Sequence, residues 1–324
     1  MSKPLIIVHT KLPPALLGKL EQHFQLAVFE TLSAQNITLL RAQLASAVGI
    51  IGTGLRVDEA LLQQAPLLQA ASTVSVGYDQ YDLAALQRHQ VVLTHTPHVL
   101  DDTVADLAFA LILGAARRVC ELDSAVKQGR WSKQSESGYF GVDVHHKTIG
   151  ILGMGRIGRA IAQRAYFGFG MPVCYTARHD KTEVDRTFQA KRCELDQLLA
   201  TADFVVNMLP STAQTQNVID GKAFALMKPS AIFINLGRGN TVDQQALYQA
   251  LKTKRILAAG LDVYREEPIA ADSPLLTLEN IICLPHIGSA TAETRYAMQA
   301  CAVDNLINAL LYPNCADKPV YRVN

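Results

Sequence analysis

Three side chains in the last third of the chain are suited to moving a proton beside an anion: Arg238, Glu267 and His286. Arg238 lies between glycines in Gly237-Arg-Gly239, where a tight loop would present a forked guanidinium able to hold a carboxylate by two hydrogen bonds. His286, in Leu284-Pro-His-Ile-Gly288, is an acid/base candidate because imidazole changes charge near neutral pH. Glu267, in Glu266-Glu-Pro268, could bond the far ring nitrogen, fix the tautomer and stabilise the imidazolium. Singly, each has a plainer reading. Arg238 could bind backbone carbonyls, Glu267 could be surface charge, and His286 could be a satisfied buried histidine. Together, each just past an apolar run, they weigh more.

A glycine-rich turn precedes them. Gly153, Gly155 and Gly158 form GxGxxG after the apolar run Ile149–Leu152, and Ile157, Ile161 and Ala165 give the following residues a helical period. Strand, turn and helix are the context in which these glycines cradle a pyrophosphate at a helix N-terminus. The alternative is a strand–helix turn without a ligand. At the end of the next apolar run, Val173–Thr176, an NAD site usually carries an acid for the ribose 2′-OH. Here Thr176 stands there and Arg178 follows, a pairing that suits a 2′-phosphate and so NADP(H), unless Arg178 is only a solvated charge. His145-His146 has no partner ligands at a recognisable spacing, so no metal is expected.

The elements that must position these residues alternate. Leu5–Val8, Val48–Ile51, Leu68–Ser72 and Val91–Thr94 read as strands, with helical patterns at Pro14–His23 and Asp58–Gln64 between them. A long helical pattern follows Pro97, capped by Asp101 or Asp102 and running to Arg117–Arg118, where cations suit the helix dipole. The polar stretch Lys127 to Lys147, with Trp131, reads as a long loop or arm. Six further strands are expected at Ile149–Leu152, Val173–Thr176, Phe204–Met208, Ala231–Asn235, Ala258–Val263 and Ile281–Leu284, the number a full dinucleotide-binding sheet needs. A last helical pattern, Thr291 to Leu311, is too short for a domain and is expected to return to the N-terminal one. The fold class is therefore α/β with two doubly wound parallel-sheet domains and a cleft between them. A central Rossmann domain spans 99–287, and a smaller flavodoxin-like substrate domain joins 1–98 with 288–324.

Composition agrees. The 324 residues suit about two domains, and 49% hydrophobic content with 18% charged residues and a mean hydropathy of +0.12 argues against disorder. Thirty basic and 29 acidic residues leave a formal charge of +1, which gives little electrostatic purchase on nucleic acid. The apolar run at Leu5–Val8 is shorter than a secretory core, and Leu107–Ala116 is shorter than a membrane span. Six cysteines, Cys120, Cys174, Cys193, Cys283, Cys301 and Cys315, without CxxC spacing suit reduced thiols in a cytoplasmic protein.

With these motifs in view, the chain resembles the D-isomer-specific 2-hydroxyacid dehydrogenase family over nearly its whole length. The resemblance rests on Val74-Ser-Val-Gly77-Tyr-Asp79, Asp102-Thr103-Val-Ala-Asp106, Gly150-Ile-Leu-Gly-Met-Gly-Arg-Ile-Gly158, Asn235-Leu-Gly-Arg-Gly239, Gly260-Leu-Asp-Val263, Glu266-Glu-Pro268 and Pro285-His-Ile-Gly-Ser289. Asp143-Val-His-His-Lys-Thr148 and Arg164-Ala-Tyr-Phe-Gly-Phe-Gly-Met-Pro172 are similar to bacterial glyoxylate/hydroxypyruvate reductases that also act on 2-ketogluconate. The resemblance implies that Arg238 clamps the substrate carboxylate, His286 protonates the carbonyl oxygen, and Glu267 supports the histidine. Leu55, Val76 and Gly77 would complete the substrate site, the last two through backbone N–H groups. The implied cofactor set is Thr103, Gly153, Met154, Gly155, Arg156, Ile157, Gly158, Thr176, Arg178, Leu209, Pro210, Thr215, Leu236, Gly237, Gly288 and Asp262, the last near the nicotinamide carboxamide. NADPH is the expected cofactor, with NADH possible, and small 2-keto or 2-hydroxy acids are the expected substrates. A homodimer is implied, with the Pro97–Arg118 helix and the Trp131 arm at its interface. Leu236, Asn240 and Thr241 depart from the family's usual residues and bear on the nicotinamide side of the cleft. The alternative from another class is a dinucleotide-sensing corepressor-like protein on the same fold, which can keep the same three residues.

Overall fold

Buried strands of a parallel sheet are covered on both faces and so read as continuous apolar runs. LIIV in the first strand and IGIL, FVVN, IFIN and AAGL later are such runs, nearly all buried. A computed structural model of the chain describes residues 3–132, 138–313 and 320–324. It has two compact units, 1–100 with 290–324, and 101–289.

The smaller unit holds β1 (Leu5–His9), β2 (Gln25–Val28), β3 (Ala47–Gly52), β4 (Ala70–Thr73) and β5 (Val92–Thr94), all parallel, in the order β2-β1-β3-β4-β5. That is the doubly wound flavodoxin-like order. Three helices between the strands start where a side-chain oxygen accepts from a first-turn N–H. Ser33 does so for Ala34–Gln43, Asp58 for Glu59–Leu62 and Asp82 for Leu83–Arg88. The long helix Ala292–Leu311, capped by Thr291, packs on β3, β4 and β5. The Ser72 hydroxyl donates to the Ala302 carbonyl (2.8 Å), and the Asn305 amide donates to the His95 carbonyl (2.8 Å).

The larger unit holds β6 (Ile149–Leu152), β7 (Val173–Thr176), β8 (Lys191–Arg192), β9 (Phe204–Asn207), β10 (Ile232–Asn235), β11 (Ala258–Leu261) and β12 (Ile281–Cys283), in the order β12-β11-β10-β9-β6-β7-β8. The sheet has seven strands where six were expected. The addition is β8, whose two residues are both exposed and carry no apolar period. The order reverses between β6 and β9, and ligands of open α/β sheets bind beyond the strand ends at such a point.

The helix expected after Pro97 spans Asp101–Ala116. Asp101 and Asp102 lie inside its first turn instead of capping it. It also stops before the two arginines. Arg118 takes a left-handed conformation (φ 55°), and a second helix, Val119–Lys127, starts there. The Arg118 guanidinium grips Glu121 and the carbonyls of Gly138 and Phe140. No helix of the described residues is long and apolar enough to cross a membrane. Cys120, Cys174, Cys193, Cys283 and Cys301 are free thiols, and Cys315 lies outside the described residues.

Candidate active site

In the larger unit Arg238, Glu267, His286 and the glycine turn each follow the C-terminal end of a strand. β9 and β10 both end in asparagine, and the register pairs Asn207 with Asn235. Their side chains meet: Asn207 Nδ2 donates to Asn235 Oδ1 (3.0 Å) and to Thr241 Oγ1 (2.7 Å). Thr241 Oγ1 donates in turn to the Arg238 carbonyl (2.7 Å), and Asn235 Oδ1 also accepts from the Gly237 N–H (3.2 Å). All three side chains are at most 1% exposed. A buried, satisfied network of this kind fixes one loop conformation, because any rearrangement leaves polar groups unpaired. On its other side the loop presses on the next strand's exit. A Cβ on Gly239 would lie 1.8 Å from the Tyr264 carbonyl carbon, so only glycine allows the approach.

Glu267 and His286 leave β11 and β12. His286 Nδ1 lies 2.6 Å from Glu267 Oε2, and Glu267 Oε1 accepts from the Tyr264 N–H (3.0 Å). The carboxylate is thus oriented at both oxygens, and the imidazole turns its Nε2 away from it. The His286 side chain is 51% exposed. Its backbone is left-handed (φ 55°), a conformation that histidine adopts more often than most non-glycine residues. Asp262 holds this turn, with Oδ1 accepting from the Ile287 N–H (2.7 Å) and Oδ2 from the Gly288 N–H (2.8 Å). Burial pushes the Asp262 carboxyl up, and these two N–H groups oppose the shift.

The glycine turn follows β6. Gly153 has φ 96°, and a Cβ on Gly158 would lie 2.5 Å from the Gly153 carbonyl, so the helix Arg156–Gln163 packs directly on the turn. Beside Gly155 the space a Cβ would occupy is open, and the helix has no side-chain cap. First-turn N–H groups without a side-chain acceptor fit an anionic pyrophosphate. Arg156 Nε is 3.6 Å from Asp101 Oδ2. Met154 is buried and Ile157 half-buried. Thr176 ends β7, and its carbonyl accepts from the Gly153 N–H (3.1 Å). Arg178 is exposed just beyond it.

Beyond β9, the Leu209 N–H donates to Asn207 Oδ1 (3.2 Å), and the Thr215 hydroxyl donates to the Pro210 carbonyl (2.6 Å). Leu236 is buried, with its N–H on the Asn207 carbonyl (3.2 Å). Thr103 lies in the first turn of the Asp101–Ala116 helix. Leu55, Val76 and Gly77 belong to the smaller unit, on the segments leaving β3 and β4. There the Ser75 hydroxyl donates to the Gly77 carbonyl (2.5 Å), and His95 Nδ1 is 3.1 Å from the Val76 carbonyl. Sequence reasoning did not single out Asn207 or Asn235 as parts of this site. Two buried strands ending in asparagine at one register was the signal for them. Thr241 is buried and bonds inside the Arg238 loop. His145 sits 3.8 Å from Asp143, and among the described residues no group of three His, Cys, Asp or Glu could hold a metal ion.

Comparison with known proteins adds a second line. Residues 109–288 match the D-isomer specific 2-hydroxyacid dehydrogenase, NAD binding domain family. A glyoxylate/hydroxypyruvate reductase B of Serratia proteamaculans is 55% identical over 308 residues, 95% of each chain. Among solved structures, an NADPH-dependent glyoxylate/hydroxypyruvate reductase from Sinorhizobium meliloti, in complex with NADP and malonate, superposes with TM-score 0.86 at 31% identity and full coverage of both chains. A glyoxylate reductase from Paecilomyes thermophila gives TM-score 0.88 at 28% identity, covering 100% of this chain and 99% of that one.

Proposed function

The chain belongs to the D-isomer specific 2-hydroxyacid dehydrogenase family, and from that premise we propose that it reduces small 2-keto acids to D-2-hydroxy acids. Glyoxylate and hydroxypyruvate are the lead substrates, followed by 2-keto-D-gluconate. The observation that carries this reading is the 2.6 Å His286–Glu267 contact beside the Arg238 loop, at the strand ends of one sheet. NADPH is the preferred cofactor and NADH a weaker one. Thr176 in place of an acid and an exposed Arg178 beyond it support that order.

Gly153, Gly155 and Gly158 with the first turn of the Arg156–Gln163 helix would hold the pyrophosphate of a dinucleotide, whose nicotinamide would supply the hydride. Arg238 receives the keto-acid carboxylate and orients the carbonyl carbon, converting encounter into alignment. His286 Nε2 gives its proton to the carbonyl oxygen as that oxygen gains charge. Glu267, held by the Tyr264 N–H, keeps the ring turned and faces the imidazolium before transfer. The protein works as a cytoplasmic homodimer in this reading. Trp131, 70% exposed beside Leu122 and Val126 of the helix Val119–Lys127, gives the apolar surface for a second copy.

The test is NADPH oxidation over glyoxylate, hydroxypyruvate, 2-keto-D-gluconate and pyruvate, repeated with NADH. Steady turnover of the first two is expected. Tight dinucleotide binding with no turnover of any keto acid would replace the enzyme reading by a dinucleotide-sensing one.

A further inference from the structure

We propose that Thr241 is a positioning residue for Arg238, and that its hydroxyl sets how tightly the site holds a keto-acid carboxylate. The inference rests on the carboxylate-clamp reading of Arg238. The Arg238 carbonyl accepts from Thr241 Oγ1 (2.7 Å), from the Thr241 N–H (3.3 Å) and from Asn235 Nδ2 (3.4 Å). The hydroxyl makes the shortest of the three bonds. It is itself oriented by Asn207 Nδ2 at 2.7 Å, so its donor and one acceptor position are both engaged.

Two neighbouring contacts turn this bond into a constraint on the guanidinium. Gly239 abuts the Tyr264 peptide and cannot move that way. Asn240 Nδ2 donates to Ser211 Oγ (2.6 Å), which ties the loop to the segment leaving β9. The backbone that launches the Arg238 side chain is therefore held from three directions. Two side chains link that backbone to Asn207 at the end of β9, Thr241 and Asn235, and the Thr241 hydroxyl makes the shorter bond at each end. Thr241→Val keeps the shape and removes the hydroxyl. The Arg238 carbonyl then keeps its two longer bonds, and Asn207 Nδ2 keeps only Asn235. The loop gains freedom, and a fork that must meet a planar carboxylate loses alignment.

The test measures KM and kcat for glyoxylate, and the Kd for NADPH, in Thr241→Val, Thr241→Ser and Arg238→Lys. Thr241→Val should raise KM for glyoxylate by roughly tenfold, the scale of one buried hydrogen bond. It should lower kcat by less and leave NADPH affinity within about twofold of wild type. Thr241→Ser, which restores the hydroxyl without the methyl, should return KM to within about twofold. If Arg238→Lys impairs KM or turnover while Thr241→Val matches wild type, the positioning role falls and the clamp stands. A serine variant that behaves like valine overturns it too. If Arg238→Lys is without effect, the clamp itself falls.

Discussion

At the C-terminal edge of the larger sheet the loops around the candidate catalytic groups are tied down by side chains that never reach solvent, whereas at the same edge of the smaller sheet local ties stand beside links through His95 and the buried Asn305. Asp262 alone binds two consecutive N–H groups after His286, and Asn207, Asn235 and Thr241 join three segments around Arg238. In the smaller unit, Thr73, Ser75 and Gly77 bond within four residues of one another. There His9, at the end of β1, is 2% exposed, packs on Gly52, and makes no well-formed hydrogen bond through its ring. Burial pulls its pKa down to about 4. Groups that must face a reacting centre at fixed distances need a buried polar scaffold.

Four measurements would break or sharpen that contrast. The largest effect is expected from His286→Ala, which should lower kcat by about 10²–10⁴-fold, the usual worth of a general acid. Its cofactor affinity should stay nearly intact, and an equal collapse of NADPH binding would show that His286 belongs to the scaffold.

Asp262→Asn should follow, with kcat down by roughly 10²-fold, because an amide cannot accept at both positions and a small misplacement of the imidazole costs about that much. Circular dichroism and NADPH Kd should stay near wild type. Wild-type turnover would mean the left-handed His286 turn holds without its carboxylate.

Arg178→Ser should cut kcat/KM for NADPH by about tenfold, in line with loss of a charge-assisted bond, and leave NADH values little changed. Equal losses with both cofactors would assign Arg178 to the fold.

The smallest effect concerns the small sheet. Burial holds the His9 imidazole at about 4 against its ordinary 6.5, so below pH 6.5 the unfolded chain binds the extra proton and the native state does not. Its stability contribution is full above that pH and is lost as pH falls toward 4. Between about pH 7.5 and about pH 5.5 the loss is on the order of 1 kcal/mol. Urea midpoints of His9→Asn should therefore drop less over that interval than those of wild type, and parallel drops would remove His9 as the cause.

Elements that bury a continuous apolar run were legible in the sequence. Leu5–His9, Ile149–Leu152 and Ile232–Asn235 fall where expected, because burial on both faces leaves a composition that local reading detects. Gln25–Val28 did not stand out, being a half-exposed edge strand, nor did Ala34–Gln43, with one buried residue in ten positions. The N-terminus of the helix Asp101–Ala116 was misplaced because two successive aspartates fit either a cap or a first turn equally well.

The sequence by itself determined that a dinucleotide turn stands at Gly153–Gly158 and that an arginine, a glutamate and a histidine follow apolar runs. Those signals are local: glycine spacing, apolar period and residue type within a few positions. Only the tertiary structure decided that Glu267 meets His286 across 19 positions, that Asp262 spans 25 to hold its turn, and that Asn207 reaches Thr241 across 34. Such pairings depend on strand order and register, and these are set by packing the whole sheet, which no single segment encodes.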